Sequence, residues 1–374
     1  MIAGFATPEG TSRFRSRFTD LANAGFYRHA PGVPAAGDLW LSSIGIGTYL
    51  GDPTAEADVA YTAALLAAIG SGINVLDTAI NYRHQRSERN LGEALRQAVA
   101  AGTVSRDEVL VCTKAGYLPF DTDMPRDAVS YLRREYIESG LAPAGEIVGG
   151  SHCMNPRYLS DQIERSRRNL GLQTLDVFYV HNPESQLSHV SRELFYSRLR
   201  TAFEMLERAV SDNRIRYYGA ATWNGFRANP ADRSHLSVEH FVQIATQVAG
   251  KDHHFRFVQL PFNLAMLEAY AYANQSRDGA NASLLTHAPE FGVAVVGSGT
   301  LHQGNLTSGL PEQLKQILGS DTDSEAAIQF ARSATNLTTS LVGMGSKRHV
   351  ETNLQVASKP LMPREGWEAL FARN

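Results

Sequence analysis

An acid, a phenol, an ammonium and an imidazole stand at or just beyond the ends of apolar runs in this chain: Asp77, Tyr82, Lys114 and His181. A free phenol ionises only near pH ~10, which makes it a reluctant acid at neutral pH. A neighbouring ammonium favours the phenolate, so Lys114 is expected to lower the Tyr82 pKa. Asp77 would pair with Lys114, because a buried ammonium without a partner is costly. His181 would then orient a substrate oxygen beside Tyr82. Such a set suits protonation of a carbonyl oxygen while hydride arrives at its carbon. Each residue taken singly also has a plain structural reading as a cap or ion pair. A catalytic metal lacks ligands, since no His-Glu-x-x-His occurs and the first apolar run holds no His-x-His. Cys112 reads as a small buried hydrophobe, and the pair His253, His254 as a solvated loop.

For these residues to meet, a scaffold must bring strand ends to one rim. Eight short apolar, β-branched runs read as strands: 43–48, 73–77, 108–114, 175–181, 215–221, 256–260, 292–297 and 339–343. Several, VLVCTK and VAVVG among them, are apolar at consecutive positions, the mark of parallel strands covered on both faces. Helical periodicity fills the gaps at 54–71, 87–101, 160–170, 192–210, 237–249, 264–287 and 324–334, and 346–356 follows the eighth strand. This alternation predicts an α/β fold, and a count of eight favours closure into a (β/α)8 TIM barrel. No Pro-, Gly- or Ser-rich linker divides the chain, so residues 1–374 read as one barrel domain. Two stretches fall outside the rhythm. Residues 1–40 are expected to form an extension with a hairpin, built around 25–29 and 38–41, across one end of the barrel. Residues 115–154 form an insertion after the third strand, carrying Tyr117, Phe120, Tyr131 and Tyr136, and are expected to lie over the active-site rim; connections this long usually carry function.

Composition narrows the partners. Thirty-five Lys and Arg against 38 Asp and Glu leave a formal charge of −3, with no basic surplus for nucleic acid. Apolar residues make up 43 % and charged residues 20 %, enough for a large core. No run approaches the ~18 apolar residues of a membrane span. Two cysteines cannot form a disulfide framework, and the first twenty residues lack the apolar centre of a signal peptide. A small-molecule partner and a cytoplasmic location are therefore expected.

The segment GINVLDTAINYRHQRSERNLGEALR, residues 72–96, resembles the signature of the aldo-keto reductase superfamily. It reproduces Asp-Thr-Ala-x-x-Tyr followed by Ser-Glu-x-x-Leu-Gly in order and spacing. VCTKAG around Lys114 and YVHNPE around His181 continue the resemblance, which spans about residues 40–358. The resemblance implies a barrel that binds NADP or NAD in extended form without a Rossmann motif. It makes Asp77, Tyr82, Lys114 and His181 the catalytic tetrad, with Tyr82 as general acid/base. It places Gln259 of VQLPFNL at the nicotinamide carboxamide, with Asn182, Gly47 and Thr48 nearby. Leu301 and Gly304 of GTLHQGNL match the loop around the pyrophosphate. Gly345, Ser346, Lys347, Arg348 and Asn353 of GMGSKRHVETNL match the segment at the adenosine end. There Ser346 would open a helix whose free N–H groups favour phosphate. Lys347 and Arg348 could meet a 2′-phosphate, which favours NADP.

The sequence departs from the family at three places. Ala221 and Thr222 replace the usual pair after the fifth strand, Ser298 stands where an aromatic ring commonly stacks on the nicotinamide, and His349 displaces a basic residue. Tyr49, Tyr117, Phe120 and Trp223 are candidate pocket walls, whose rings suit either a sugar or an aryl carbonyl. The expected activity is an NAD(P)-dependent reduction or oxidation of an aldehyde, ketone or sugar. Two alternatives use the same barrel: a non-catalytic, cofactor-sensing or regulatory protein, and a redox-neutral enzyme that retains its cofactor. A Schiff-base lyase on Lys114 is disfavoured, because Asp77 should keep that amine protonated.

Overall fold

The computed structural model describes residues 1–30 and 32–371. Eight parallel strands close into a barrel in chain order: Ile44–Gly47, Val75–Asp77, Leu110–Ala115, Leu175–His181, Ile215–Ala221, Phe255–Pro261, Ala294–Ser298 and Leu337–Gly343. Closure is made by the eighth strand against the first, with Ser340 opposite Ile44.

Period-two alternation divides each strand between two environments. Leu76, Val111, Phe178 and Val258 face outward into the main core with the helices. Val75, Cys112, Tyr179 and Phe257 pack together inside the barrel. The same inward parity, two residues further along, carries Asp77, Lys114, His181 and Gln259 toward the C-terminal rim. The interior is tightly filled: a Cβ on Gly219 would come 2.0 Å from the Phe257 carbonyl oxygen. Cys112 is buried, as its neighbours required, and neither Cys112 nor Cys153 is disulfide-bonded.

The helices Ala55–Gly70, Arg86–Ala100, Pro156–Leu170, Arg192–Ser211, Val238–Ala249, Asp323–Arg332 and Lys347–Asn353 follow the expected periodicity. Side-chain caps start most of them, Thr54, Asn155, Ser191, Ser237 and Thr322 each accepting a first-turn N–H. The expected helix 264–287 does not form. In its place stand a short helix Glu268–Ala271, a hairpin of Gln275–Arg277 with Ala280–Ala282, and a helix Leu284–His287. Asp278 and Gly279, at φ of 50° and 83°, make the tight hairpin turn that an Asp-Gly pair favours, and this turn chemistry overrides the apolar spacing. The last expected helix is also shorter, ending at Asn353 and continuing as a 3-10 turn over Leu354–Ser358. The His253, His254 pair is not a solvated loop either: His253 is buried beside Arg256, and His254 bonds Glu207.

The first forty residues form more than a hairpin. Helices Pro8–Arg17 and Thr19–Asn23 precede a minimal pairing of Tyr27–Arg28 with Leu41–Ser42. Ala30, Val33, Ala36, Leu39 and Leu41 then pack against Val75, Leu110 and Val177 inside the barrel, plugging the end opposite the C-terminal rim. The insertion after the third strand also packs down. It holds a helix Ala128–Leu132 that runs into a π-helical stretch Arg133–Glu138, and its Tyr136, Ala142, Cys153 and Met154 are buried in the main core.

Asp176 ties the plug to the barrel. One carboxylate oxygen accepts the Ala6 N–H at 2.7 Å, and the other accepts Arg106 at 2.6 Å and the Val111 N–H at 2.8 Å. Breaking a buried pair from one side leaves an uncompensated charge. Asp176→Ala is therefore expected to destabilise the protein by about 3–5 kcal/mol, read from the midpoint of urea unfolding.

Candidate active site

At the rim the four inward-facing residues converge. Lys114, fully buried, donates to Asp77 Oδ1 at 2.5 Å and to the Thr78 carbonyl at 2.8 Å. Gln259 donates to the other Asp77 oxygen at 2.8 Å, so both carboxylate oxygens are engaged. Burial works against the Lys114 ammonium, but Asp77 and Tyr82 outweigh it and hold its pKa above the usual value. The Lys114 Nζ lies 5.1 Å from the centre of the Tyr82 ring, and the His181 ring is 5.9 Å from the same ring, edge to face.

The electrostatic outcome differs from the expectation for Tyr82. Lys114 does pull its pKa down, yet burial of the phenol is the larger effect and the net shift is upward. The hydroxyl is thus a proton donor by default. His181 is driven well below its usual value, first by burial and then by Lys114, so its imidazole is neutral. Its Nδ1 and the Asn81 Oδ1 are buried without partners in the protein.

Tyr82 is held by the turn that follows it. Arg83, His84 and Gln85 take left-handed φ of 48°, 55° and 69°, conformations that cost about 1–3 kcal/mol each for non-glycine residues. Buried Arg83 offsets this by bonding Asp58, Asn90 and the Asp52 carbonyl, and Gln85 donates to the Phe120 carbonyl.

These groups open on a cavity of about 910 Å³, at the large end of small-molecule sites. Asp77, Tyr82 and His181 line it. So do Gly47, Thr48, Asn182, Thr222, Gln259, Ser298, Leu301, Gly304, Arg348 and Asn353, with Tyr49, Tyr117 and Trp223 among its walls. Four expected contacts lie elsewhere. Phe120 packs between His84 and Tyr131 and braces the strained turn. Gly345 lies against the Tyr61 ring. Ser346 spends its Oγ capping the His349 N–H. Lys347 reaches forward along its helix to Glu351 at 3.6 Å, whereas the next residue, Arg348, lines the cavity.

Other lining residues escaped the sequence reading. Asn81, Asn263, His302 and Gln303 follow strand ends and were legible only as loop. Ser324 arrives on a helix distant in sequence, which no local pattern signals. Glu184, within the YVHNPE motif, accepts the N–H groups of Trp223, Asn224 and Gly225 on one oxygen and so shapes the loop that carries Trp223. Among the described residues no group of three or more His, Cys, Asp or Glu could hold a metal ion.

The sequence pattern of the Aldo/keto reductase family matches residues 43–370. This chain belongs to the aldo/keto reductase family. Among named relatives it is 29 % identical over 183 residues to "Aldo-keto reductase AMT2" of Alternaria alternata, covering 47 % of this chain and 44 % of that protein. It is 30 % identical over 169 residues to a D-threo-aldose 1-dehydrogenase of Pseudomonas sp, covering 42 % of each. The chain thus spans less than half the length of these relatives. Among solved structures, the glycerol dehydrogenase AKR11B4 of Gluconobacter oxydans superposes with a TM-score of 0.60 at 18 % identity, covering 93 % of this chain and 94 % of that one. An aldo/keto reductase of Klebsiella pneumoniae in complex with NADP and acetate gives 0.59 at 18 % identity, covering 92 % and 93 %. These superpositions share the aldo/keto reductase barrel with the present fold.

Because burial outweighs Lys114 at Tyr82, the phenol is expected to ionise only above about pH 10, the ordinary value. Subtracting the ultraviolet titration of Tyr82→Phe from that of the parent isolates this one group; a transition below about pH 10 would contradict the expectation.

Proposed function

We propose that this chain is an NAD(P)-dependent carbonyl oxidoreductase, acting on an aldehyde, ketone or sugar with Tyr82 as the general acid/base. The observation that carries the proposal is the Asp77–Lys114 pair beneath Tyr82 and beside a neutral His181, at the floor of an extended cavity. The residues suit a nicotinamide dinucleotide. Asn182, Thr222 and Gln259 offer amide and hydroxyl groups near the tetrad, and Arg348 also lines the cavity. Relatives named for an aldose and for glycerol, and a neighbour that binds NADP, support the same class.

When bound, the cofactor supplies hydride. In the reducing direction His181, neutral, fixes the substrate oxygen beside Tyr82, whose hydroxyl donates its proton to that oxygen. Lys114 stabilises the phenolate left behind, and Asp77 keeps Lys114 charged and aimed. In the oxidising direction the phenolate takes the proton back. Arg348 is the one Lys or Arg among the cavity's described lining residues, so the reacting half is walled by Tyr49, Tyr117 and Trp223 without a free cation. That suits an uncharged carbonyl or sugar. NADP is favoured over NAD through Arg348, since guanidinium pairs well with phosphate.

Tyr82→Phe is expected to lower kcat about 10²- to 10⁴-fold in assays of NADPH consumption with aldehydes and sugars, while NADPH binding by fluorescence stays nearly unchanged. Equal turnover by parent and variant would remove Tyr82 from the chemistry, and absence of turnover in both would favour a cofactor-sensing barrel. Arg348→Ala is expected to raise the KM for NADPH about tenfold or more, the worth of one charge-assisted contact. The KM for NADH should hardly move, and Lys347→Ala should leave both near the parent values.

A further inference from the structure

His181 has an unusual support. A functional imidazole is commonly oriented by a hydrogen bond at its second ring nitrogen, but His181 Nδ1 is buried and has no partner. Its orientation must therefore come from its backbone and its ring neighbours. The backbone leaves the fourth strand at this residue. Asn182 turns into the left-handed region at φ 44°, and its N–H goes to the Ala221 carbonyl at 2.6 Å. The His181 carbonyl is taken instead by a second histidine, His152 Nε2, at 2.8 Å.

His152 belongs to the insertion and is 1 % exposed. Its Nδ1 accepts from Gln186 Nε2 at 2.9 Å, and Gln186 Oε1 accepts from Arg198 at 2.5 Å. This chain fixes the amide and the tautomer: with Nδ1 an acceptor, the ring proton lies on Nε2, facing the His181 carbonyl. Burial pushes the His152 pKa down to about 4, so the ring stays neutral. Gly116 lies against the same two groups, since a Cβ there would come 2.3 Å from the His181 oxygen and 2.9 Å from His152 Nε2. Tyr117 sets its ring edge-to-face on both imidazoles, 5.1 and 5.5 Å away, and its hydroxyl bonds Asn182 and Ser185.

We infer that His152 is a positioning residue for His181, holding the end of the fourth strand through the His181 carbonyl so that the neutral imidazole faces Tyr82. The insertion thereby takes part in the chemistry from beneath the rim as well as through Tyr117 at the wall. The consequence for turnover rests on the proposed carbonyl chemistry; the positioning itself does not.

The test compares His152→Phe, which removes the donor, with His152→Gln, which restores one. Three readouts are taken: kcat and KM with NADPH and an aldehyde, NADPH affinity, and the nitrogen resonances of the His181 ring in protein labelled at imidazole nitrogen. His152→Phe is expected to shift the His181 resonances and lower kcat about 10- to 100-fold, the usual effect of losing a supporting hydrogen bond, with NADPH affinity unchanged. His152→Gln should return most of kcat. A His181 signal that stays in place in His152→Phe, or a kcat within about threefold of the parent, overturns the inference. Should His152→Phe fail to fold, Gln186→Leu decides: it must move the His181 signal in the folded protein, and an unmoved signal is again fatal. If the parent turns over no carbonyl while the His181 signal still responds, the proposed function falls and the positioning stands.

Discussion

One buried ion pair sets the terms for everything around it. Lys114 has no exposure, and its charge is tolerable only because Asp77 lies 2.5 Å away with its second oxygen held by Gln259. Removing charges from water costs several kcal/mol each, so such a pair needs a rigid, fully bonded seat. The closed sheet provides it. Three strands deliver Asp77, Lys114 and Gln259 at matched inward positions, and none of the three could be shifted by one residue without turning its side chain into the outer core. The fold and the pair thus constrain each other.

The same pair governs its neighbours by charge. Lys114 lowers the His181 pKa beyond what burial does alone, and at Tyr82 it partly offsets burial while Asp77 adds to it. One phenol is left protonated beside one neutral imidazole, a hydrogen-bond donor next to an uncharged ring rather than two competing acids. Strain in the Arg83–His84–Gln85 turn, offset by Arg83 and Gln85, keeps the donor where the pair can act on it.

Much of this was legible in the sequence, for a reason that also explains the failures. Strand ends and helix periods are written locally, so the eight strands and the placement of Asp77, Lys114 and His181 could be read from runs and their last residues. The helix expected over 264–287 failed because two residues, Asp278 and Gly279, outweighed an apolar pattern twelve times longer. Lys347 and Arg348 are adjacent and chemically alike, yet one faces Glu351 and the other the cavity; only the phase of a short helix decides between them. The sign of the Tyr82 shift was misjudged because proximity to Lys114 is visible in motif spacing, whereas desolvation is a sum over the whole packed surroundings. Glu184 and His152 were invisible for the same reason: Glu184 is held by backbone N–H groups of the Trp223 loop, and His152 by the His181 carbonyl and the Gln186 side chain.

The N-terminal plug has a bearing on how this scaffold could diversify. With Ala30, Val33, Ala36, Leu39 and Leu41 sealing the bottom of the barrel, stability is anchored at one pole and the candidate site lies at the other. Short rim loops can then drift or be grafted without unseating the core. The long excursion after the third strand is the exception, because Tyr136, Cys153 and Met154 have become part of the hydrophobic interior. Evolution, or an engineer, would have to exchange that segment together with its foundations rather than trim it.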